Sequence, residues 1–351
     1  MQSSGTFFVS GRKSWPYLDC IGGQRKNTQP FFKAALEWRS EEKGHVRLFK
    51  GVTMKKLLSF LALFPLLAAC ANTEVSSLPR QSLDDPYREI EYALAIDGSA
   101  GDAKYDASKV EKVDNHPLNG KTIYWLGSSV TYGSAASGMS MADYLSAKTG
   151  AICVKEAISG TTIYDDGGSG DSGAKSYTRR LLNSSVFDPK ARIDAFICQI
   201  STNDCTSSRL SKRGAIADSN LQDYEDFDRS TTLGGIEFII SYVNEIWGCP
   251  IYFYSGAKFG DGSDKAHRQN SNPKGSDYGQ LVSQTLQICA KWDKLSYVTA
   301  GVIDLYNDEE FNAKASDEYY AWAMNDPIHP KKAGYLQWWM PYFENYLIHA
   351  L

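Results

Sequence analysis

Histidine is scarce in this chain, with five among 351 residues, so any chemistry that needs an imidazole has few places to reside. Cysteine is equally uninformative as a ligand set. There is no C-x-x-C, and the spacing of the seven cysteines fits neither a zinc site nor a disulfide framework. Nor is there a basic surface for a nucleic acid. The formal net charge is -4, and it is uneven: residues 1–53 carry nine Lys/Arg and four Asp/Glu, whereas residues 71–351 carry 26 and 37. An acidic body of this kind lacks the footprint that phosphate backbones require. The apolar run Leu57 to Leu67 is too short to span a bilayer.

That run has another reading. Met54-Lys55-Lys56 is a basic opening, Leu57–Leu67 an apolar stretch, and Leu67-Ala68-Ala69-Cys70 follows at once. The pattern is that of a secretory signal peptide over 54–70. Its ending resembles a bacterial lipobox, which implies cleavage before Cys70, acylation of the Cys70 thiol and a cell-envelope protein anchored to a membrane rather than crossing it. A buried apolar helix is the poorer reading, because Asn72–Gln81 is polar and supplies no partner face. Residues 1–53 have no clear period, and Lys50-Gly51-Val52 can be encoded with a ribosome-binding sequence just before the Met54 codon. The expectation is that 1–53 are an untranslated or disordered upstream segment; a genuine cytoplasmic extension is the alternative. Residues 71–118, rich in Ser, Asp, Lys and Gly, read as a tether with one short helix at Tyr87–Ala95.

Residues 119–351 read as one domain in which strands and helices alternate. Strands are expected at Thr122–Leu126, Ala151–Ala157, Ala195–Ile200, Ile251–Tyr254 and Tyr297–Ile303. Helices are expected at Ser140–Lys148, Gly235–Trp247, Tyr278–Trp292 and Lys331–Ile348. In the second of these, Ile236, Ile239, Ile240, Val243 and Ile246 keep helical spacing. Strands that are apolar throughout belong to a sheet covered on both faces. The fold class is therefore α/β: a three-layer α/β/α sandwich with about five parallel strands, the flavodoxin-like arrangement. Of Cys153, Cys198, Cys205, Cys249 and Cys289, the first two lie in apolar runs and read as small hydrophobes. An exported protein could form one bridge among the five, and the sequence does not say which.

Ligands of such sheets bind beyond the carboxyl ends of the strands. After the first strand come Gly127-Ser128-Ser129-Val130-Thr131-Tyr132-Gly133, after the second Ser159-Gly160-Thr161, after the third Ser201-Thr202-Asn203-Asp204. Beyond the fifth strand and a long loop come Asp326-Pro327-Ile328-His329-Pro330. Taken singly, Ser129 is a helix cap, Asn203 a turn former, and Asp326 with His329 an ordinary turn. Together on one rim, a hydroxyl, an amide, an acid and an imidazole are the inventory of acyl transfer. A serine hydroxyl needs a base, an imidazole titrates in the right range, and an acid three residues earlier can fix its tautomer.

Tyr124 to Gly133 resembles the first block of the SGNH/GDSL hydrolases, with Ser129 at the nucleophile position. The resemblance extends to Gly160 in the second block, Thr202-Asn203-Asp204 in the third and Asp326-x-x-His329-Pro330 in the last, and so spans roughly residues 121–348. It implies a carboxylic ester hydrolase with Ser129, His329 and Asp326 as catalytic residues. It further implies an oxyanion hole from the N–H groups of Ser129 and Gly160 and the Asn203 amide, with no cofactor and no metal. Ser128 stands where the family usually has Asp, and Ser201 where it often has Gly. The expected substrate is a short acyl ester, O-acetyl on an extracytoplasmic glycan; the glycan comes from the family's habits. A lipase or thioesterase of the same family, and a non-catalytic glycan-binding lipoprotein on the same fold, are the alternatives.

Other features are weighed and set aside. Tyr132, Tyr164 and Trp322 are aromatics near the rim that could stack on a sugar. Gly168 to Gly173 satisfies G-x-G-x-x-G, but the two aspartates before it would repel a pyrophosphate, and Asp165–Lys175 reads as a mobile loop. Arg179 and Arg180 could meet an anionic substrate or pair with surface carboxylates. Of the remaining histidines, only His267 rivals His329, and it lacks an acid at short spacing.

Overall fold

The computed structural model describes residues 92–168, 175–218, 223–258, 273–295 and 297–351. The upstream segment 1–53, the signal peptide 54–70 with Cys70, the first part of the tether, the glycine-rich run from Ser169 and His267 lie outside the described residues.

Five strands form one parallel sheet in the order β2-β1-β3-β4-β5. They are β1 (Thr122–Gly127), β2 (Ile152–Ala157), β3 (Ala195–Gln199), β4 (Ile251–Tyr254) and β5 (Ala300–Ile303). Alternation along each strand divides its side chains between two cores. Tyr124, Leu126, Phe196, Cys198 and Phe253 join one cluster, whereas Ile123, Trp125, Ile197, Tyr252 and Tyr254 join the other. Both faces of β1, β3 and β4 are thus largely apolar and covered, which is why these strands read as apolar runs, whereas the edge strand β2 carries Lys155 and Glu156 and is only partly buried. The three-layer α/β/α class expected from the sequence is the observed one.

The helices in chain order are α1 (Ser129–Tyr132), α2 (Met141–Thr149), α3 (Tyr177–Leu182), α4 (Thr232–Trp247), α5 (Pro273–Trp292), α6 (Glu309–Lys314) and α7 (Asp317–Ala323). After them come α8 (Lys332–Gly334), a π-helical turn (Tyr335–Trp339) and α9 (Met340–Ala350). Helices α3, α4 and α5 supply the first cluster, α2 and the C-terminal run the second. Among the described residues, no helix is long and apolar enough to cross a membrane.

Several elements differ from expectation for identifiable reasons. The stretch after β5, read as a long loop, holds α6 and α7. Each is only about two turns long, and their caps, Asp308 accepting from Phe311 N–H and Ser316 from Tyr319 N–H, carry more signal than their periodicity. The single C-terminal helix contains a π-helical turn whose extra residue brings Tyr335, Trp338 and Trp339 into the core together. The segment 71–118 is no tether from Tyr92 onward. Residues 92–95 are not helical, while Tyr105, His116 and Leu118 are buried. His116 Nδ1 accepts from Leu118 N–H at 3.1 Å and its Nε2 faces Glu344 at 3.0 Å, so this segment is locked to α9. Polar composition concealed a few well-spaced anchors.

Among the described residues, Cys153, Cys198, Cys205, Cys249 and Cys289 form no disulfide with one another. Burial pushes the Cys153 and Cys249 thiols up to about 12, so they pack as hydrophobes rather than react.

Candidate active site

The sheet order reverses between β1 and β3, and the crevice at that switch point is where such sheets bind ligands. Gly127 ends β1 where only glycine fits: a Cβ there would lie 1.8 Å from Thr131 Oγ1 and 2.9 Å from Gln199 Oε1. The chain then turns at Ser128 into α1, with Ser129 as its first residue. First-turn N–H groups have no acceptor within their own helix. Gln199, the last residue of β3, meets part of that need. Its Oε1 accepts from Ser128 N–H at 2.9 Å, Thr131 N–H at 3.2 Å and Thr131 Oγ1 at 2.9 Å. The Thr131 hydroxyl in turn faces Tyr254 OH at 2.6 Å. Ser129 N–H is outside this set and points from the N-terminus of α1. Tyr335, on the π-helical turn, donates its hydroxyl to Val130 C=O at 2.7 Å and ties α1 to the C-terminal run.

That run follows the loop carrying the acid and the imidazole. Its base is closed by a bridge between Met324 and Pro330, by Asn325 N–H donating to His329 C=O at 2.8 Å, and by Lys331 N–H donating to Ala323 C=O at 2.8 Å. Asp326 Oδ1 accepts from the backbone N–H groups of Ile328 at 2.8 Å and His329 at 3.0 Å. Both carboxylate oxygens face His329 Nδ1, at 2.9 and 2.8 Å. A carboxylate accepts only, so Nδ1 carries the proton and Nε2 is left as acceptor. Ser129 Oγ lies 2.7 Å from that Nε2. Partial burial works against the Asp326 charge, but the hydrogen bonds from His329 and Ile328 outweigh it and hold the carboxyl well below the usual carboxylate range. Ser129 is 8% exposed, enough to be reached from the rim.

The other two turns are joined to each other. Asn203 Nδ2 donates to Thr161 C=O at 3.0 Å, which leaves its second hydrogen unassigned, and Ser201 Oγ donates to the same carbonyl at 3.3 Å. Gly160 is exposed and adopts φ +81, a left-handed conformation that suits glycine. Asp204 is fully buried and accepts from Ile163 N–H at 3.0 Å and Thr232 Oγ1 at 2.9 Å, so it binds both turns to α4. Burial raises its carboxyl even though these bonds oppose the rise. Ser129, Gly160, Asn203, Asp326 and His329 therefore lie on turns at the carboxyl edge or at the start of α1. Ser129, His329 and Asp326 form one hydrogen-bonded row.

Two residues, Gln199 and Tyr335, escaped the sequence reading, and Asp204 was named only as part of the third block; all three build the site without belonging to its chemistry. A polar residue ending an otherwise apolar strand, Ala195-Phe196-Ile197-Cys198-Gln199, was the available signal for the first. Of the three rim aromatics, only Tyr132 is open, at 46% exposure. Tyr164 is buried, and Trp322 packs on Tyr105 and Tyr319 while its Nε1 donates to Gly98 C=O at 2.8 Å. Arg179 pairs with Asp165 at 2.6 Å, and Arg180 is buried. Among the described residues no group of His, Cys, Asp and Glu is placed to hold a metal.

No family model and no curated protein matches this chain. Solved structures do resemble it. A protein from Lactobacillus plantarum is 20% identical over 67% of this chain and 99% of that one, with a TM-score of 0.46. An inhibitor-bound aryl esterase of M. smegmatis is 13% identical over 66% and 99%, with a TM-score of 0.39. A carbohydrate acetylesterase family member from Sinorhizobium meliloti is 16% identical over 66% and 100%, with a TM-score of 0.40.

Proposed function

We propose that this protein is a serine esterase of the SGNH/GDSL kind that removes short acyl groups through a Ser129 acyl-enzyme. The observation that carries the reading is the continuous row Ser129 Oγ to His329 Nε2 at 2.7 Å and His329 Nδ1 to Asp326 at 2.8 Å. His329 takes the Ser129 proton as Oγ attacks the ester carbonyl. Asp326 stabilises the imidazolium that forms and does not itself take the proton. The carbonyl oxygen, now negative, is received by the N–H groups of Ser129 and Gly160 and by the Asn203 amide. As the intermediate collapses, His329 returns the proton to the leaving alcohol. Water, activated by the same imidazole, then attacks the acyl-enzyme, releases the carboxylic acid and restores Ser129.

The short acyl group is carried by the resemblance of the sequence blocks. Exposed Tyr132, on α1 itself, is suited to stacking on a sugar ring, and an O-acetylated extracytoplasmic glycan is the substrate we propose. The export signal and Cys70 motivate that location, with a diacylated Cys70 holding the mature chain to the membrane. A panel of p-nitrophenyl esters of increasing chain length, run beside acetylated glycans, tests the reading. Acetate esters should be turned over fastest and Ser129→Ala should be inactive. A preference for long chains would instead indicate a lipase, and no turnover beside retained glycan binding would indicate a binding protein.

A further inference from the structure

Arg180 is a buried cation whose partners are carbonyls. It is 7% exposed, on α3, and its Nε donates to Lys175 C=O at 2.9 Å. Nη1 donates to Glu156 C=O at 3.0 Å, and Nη2 donates to Gly127 C=O at 2.8 Å and reaches Thr161 Oγ1 at 3.4 Å. No carboxylate is among these partners. A buried arginine normally faces one, because desolvating a charge without a counter-charge is costly.

The carbonyls it selects are informative. Gly127 and Glu156 stand at the carboxyl ends of the adjacent strands β1 and β2, whose register pairs Leu126 with Glu156 and Gly127 with Ala157. Gly127 C=O belongs to the peptide whose N–H, on Ser128, is held by Gln199 at 2.9 Å. That peptide is therefore fixed at both ends, and the next N–H along the chain is that of Ser129. Thr161 directly follows Gly160, and its hydroxyl also donates to Ile158 C=O at 2.7 Å. One guanidinium thus touches both turns that carry the backbone N–H groups assigned to the acyl oxygen.

We propose that Arg180 is the positioning residue of the oxyanion site: its planar fork clamps the ends of β1 and β2 so that the N–H groups of Ser129 and Gly160 converge on the anionic intermediate. The clamp makes its hydrogen bonds to carbonyls and a hydroxyl, with the Glu156 carboxylate acting on it only through its charge. Ser128 stands where the resemblance would place an aspartate, and its buried hydroxyl lies toward the buried hydroxyl of Tyr177, over whose ring the Arg180 guanidinium sits at 5.2 Å. Burial pulls the guanidinium below its ordinary value, but guanidinium stays protonated across the working range. Lysine carries the charge, but one ammonium with three donors cannot span four acceptors.

The inference rests on the esterase reading, and the test separates the two. Arg180→Lys is compared with wild type and with Thr161→Val, each normalised to sites titrated by a fluorophosphonate. The clamp predicts that Arg180→Lys lowers kcat per titrated site by about 10-fold or more, less than the 10²–10³ of a direct donor, with KM little changed. Affinity for a boronate that mimics the tetrahedral intermediate should fall in parallel. Thr161→Val, which folds without loss of a buried charge, should show the same signature more weakly. A readout independent of turnover is amide exchange, which should quicken in peptides covering 127–133 and 158–163 and stay unchanged in α4. Unchanged kcat per titrated site, or unchanged exchange in both peptides, overturns the clamp. An inactive wild type with quickened exchange removes the esterase reading and leaves the clamp standing as a structural device.

Discussion

Replacing Gln199 by leucine tests how the nucleophile turn is held. Gln199 is 2% exposed, and its Oε1 is the shared acceptor of Ser128 N–H, Thr131 N–H and the Thr131 hydroxyl. Leucine fills similar space and accepts nothing. Two buried backbone N–H groups then lose their acceptor, at roughly 1–3 kcal/mol each, or about 2–6 kcal/mol in all. For a domain of this size that lowers Tm by roughly 5–20 °C. The Thr131 hydroxyl can turn to Tyr254, 2.6 Å away, so it adds little to the loss. The catalytic effect is separate. With Ser128 N–H released, the turn loses the bond that aims Ser129 Oγ at His329, and a displacement of about 1 Å costs on the order of 10² in kcat. Thermal and urea unfolding followed by near-UV circular dichroism, with p-nitrophenyl acetate kinetics per titrated site, reads both quantities. Gln199→Glu, which keeps an acceptor oxygen, should recover most of the stability. A Gln199→Leu protein that matches wild type in both Tm and kcat would refute the reasoning.

Asn203→Ala should lower kcat by about 10²–10³ with little change in KM, because the amide serves the intermediate; a rise confined to KM would make Asn203 a substrate-binding residue. Asp326→Asn should lower kcat by about 10⁴, as loss of the tautomer-fixing acid does in comparable rows. The sign of its pH dependence follows from the depressed carboxyl. Asp326 contributes stability above the ordinary carboxylate range and loses it as pH falls below that range, so the Tm gap between wild type and Asp326→Asn should close in strong acid; a gap that widens there would contradict the assignment. Cys70→Ser should release the mature protein from the membrane fraction or stall it as a precursor, and mass spectrometry of the native N-terminus should find a lipidated Cys70; peptides from residues 1–53 in the mature protein would overturn the proposed export.

The sheet was legible because its central strands are buried on both faces. Apolar runs such as Ala195–Cys198 have no other stable setting, and amphipathic spacing in α4 and α5 supplied the layers around them. The site was legible for a different reason. Ser129, Gly160, Asn203 and the pair Asp326 and His329 each sit immediately after a strand or on a tight loop, where sequence position already indicates the rim. What stayed hidden depends on three-dimensional contact. Gln199 meets the Ser129 turn across β3 and β1, 71 residues apart in the chain. Tyr335 reaches Val130 over 205 residues. Arg180 looked like a surface charge because nothing local shows that four acceptors await it. The segment after Tyr92 was misread for the same reason: its composition is polar, and the burial of Tyr105, His116 and Leu118 depends on partners far along the chain.

The central claim is that Ser129 is a nucleophile activated by His329. Its most direct test is labelling of the purified chain with a serine-directed fluorophosphonate, followed by peptide mapping. The account predicts one adduct, on the peptide containing Ser129, formed in step with loss of p-nitrophenyl acetate hydrolysis and abolished in Ser129→Ala and His329→Ala. An adduct on another serine, or hydrolysis that survives in Ser129→Ala, would contradict it.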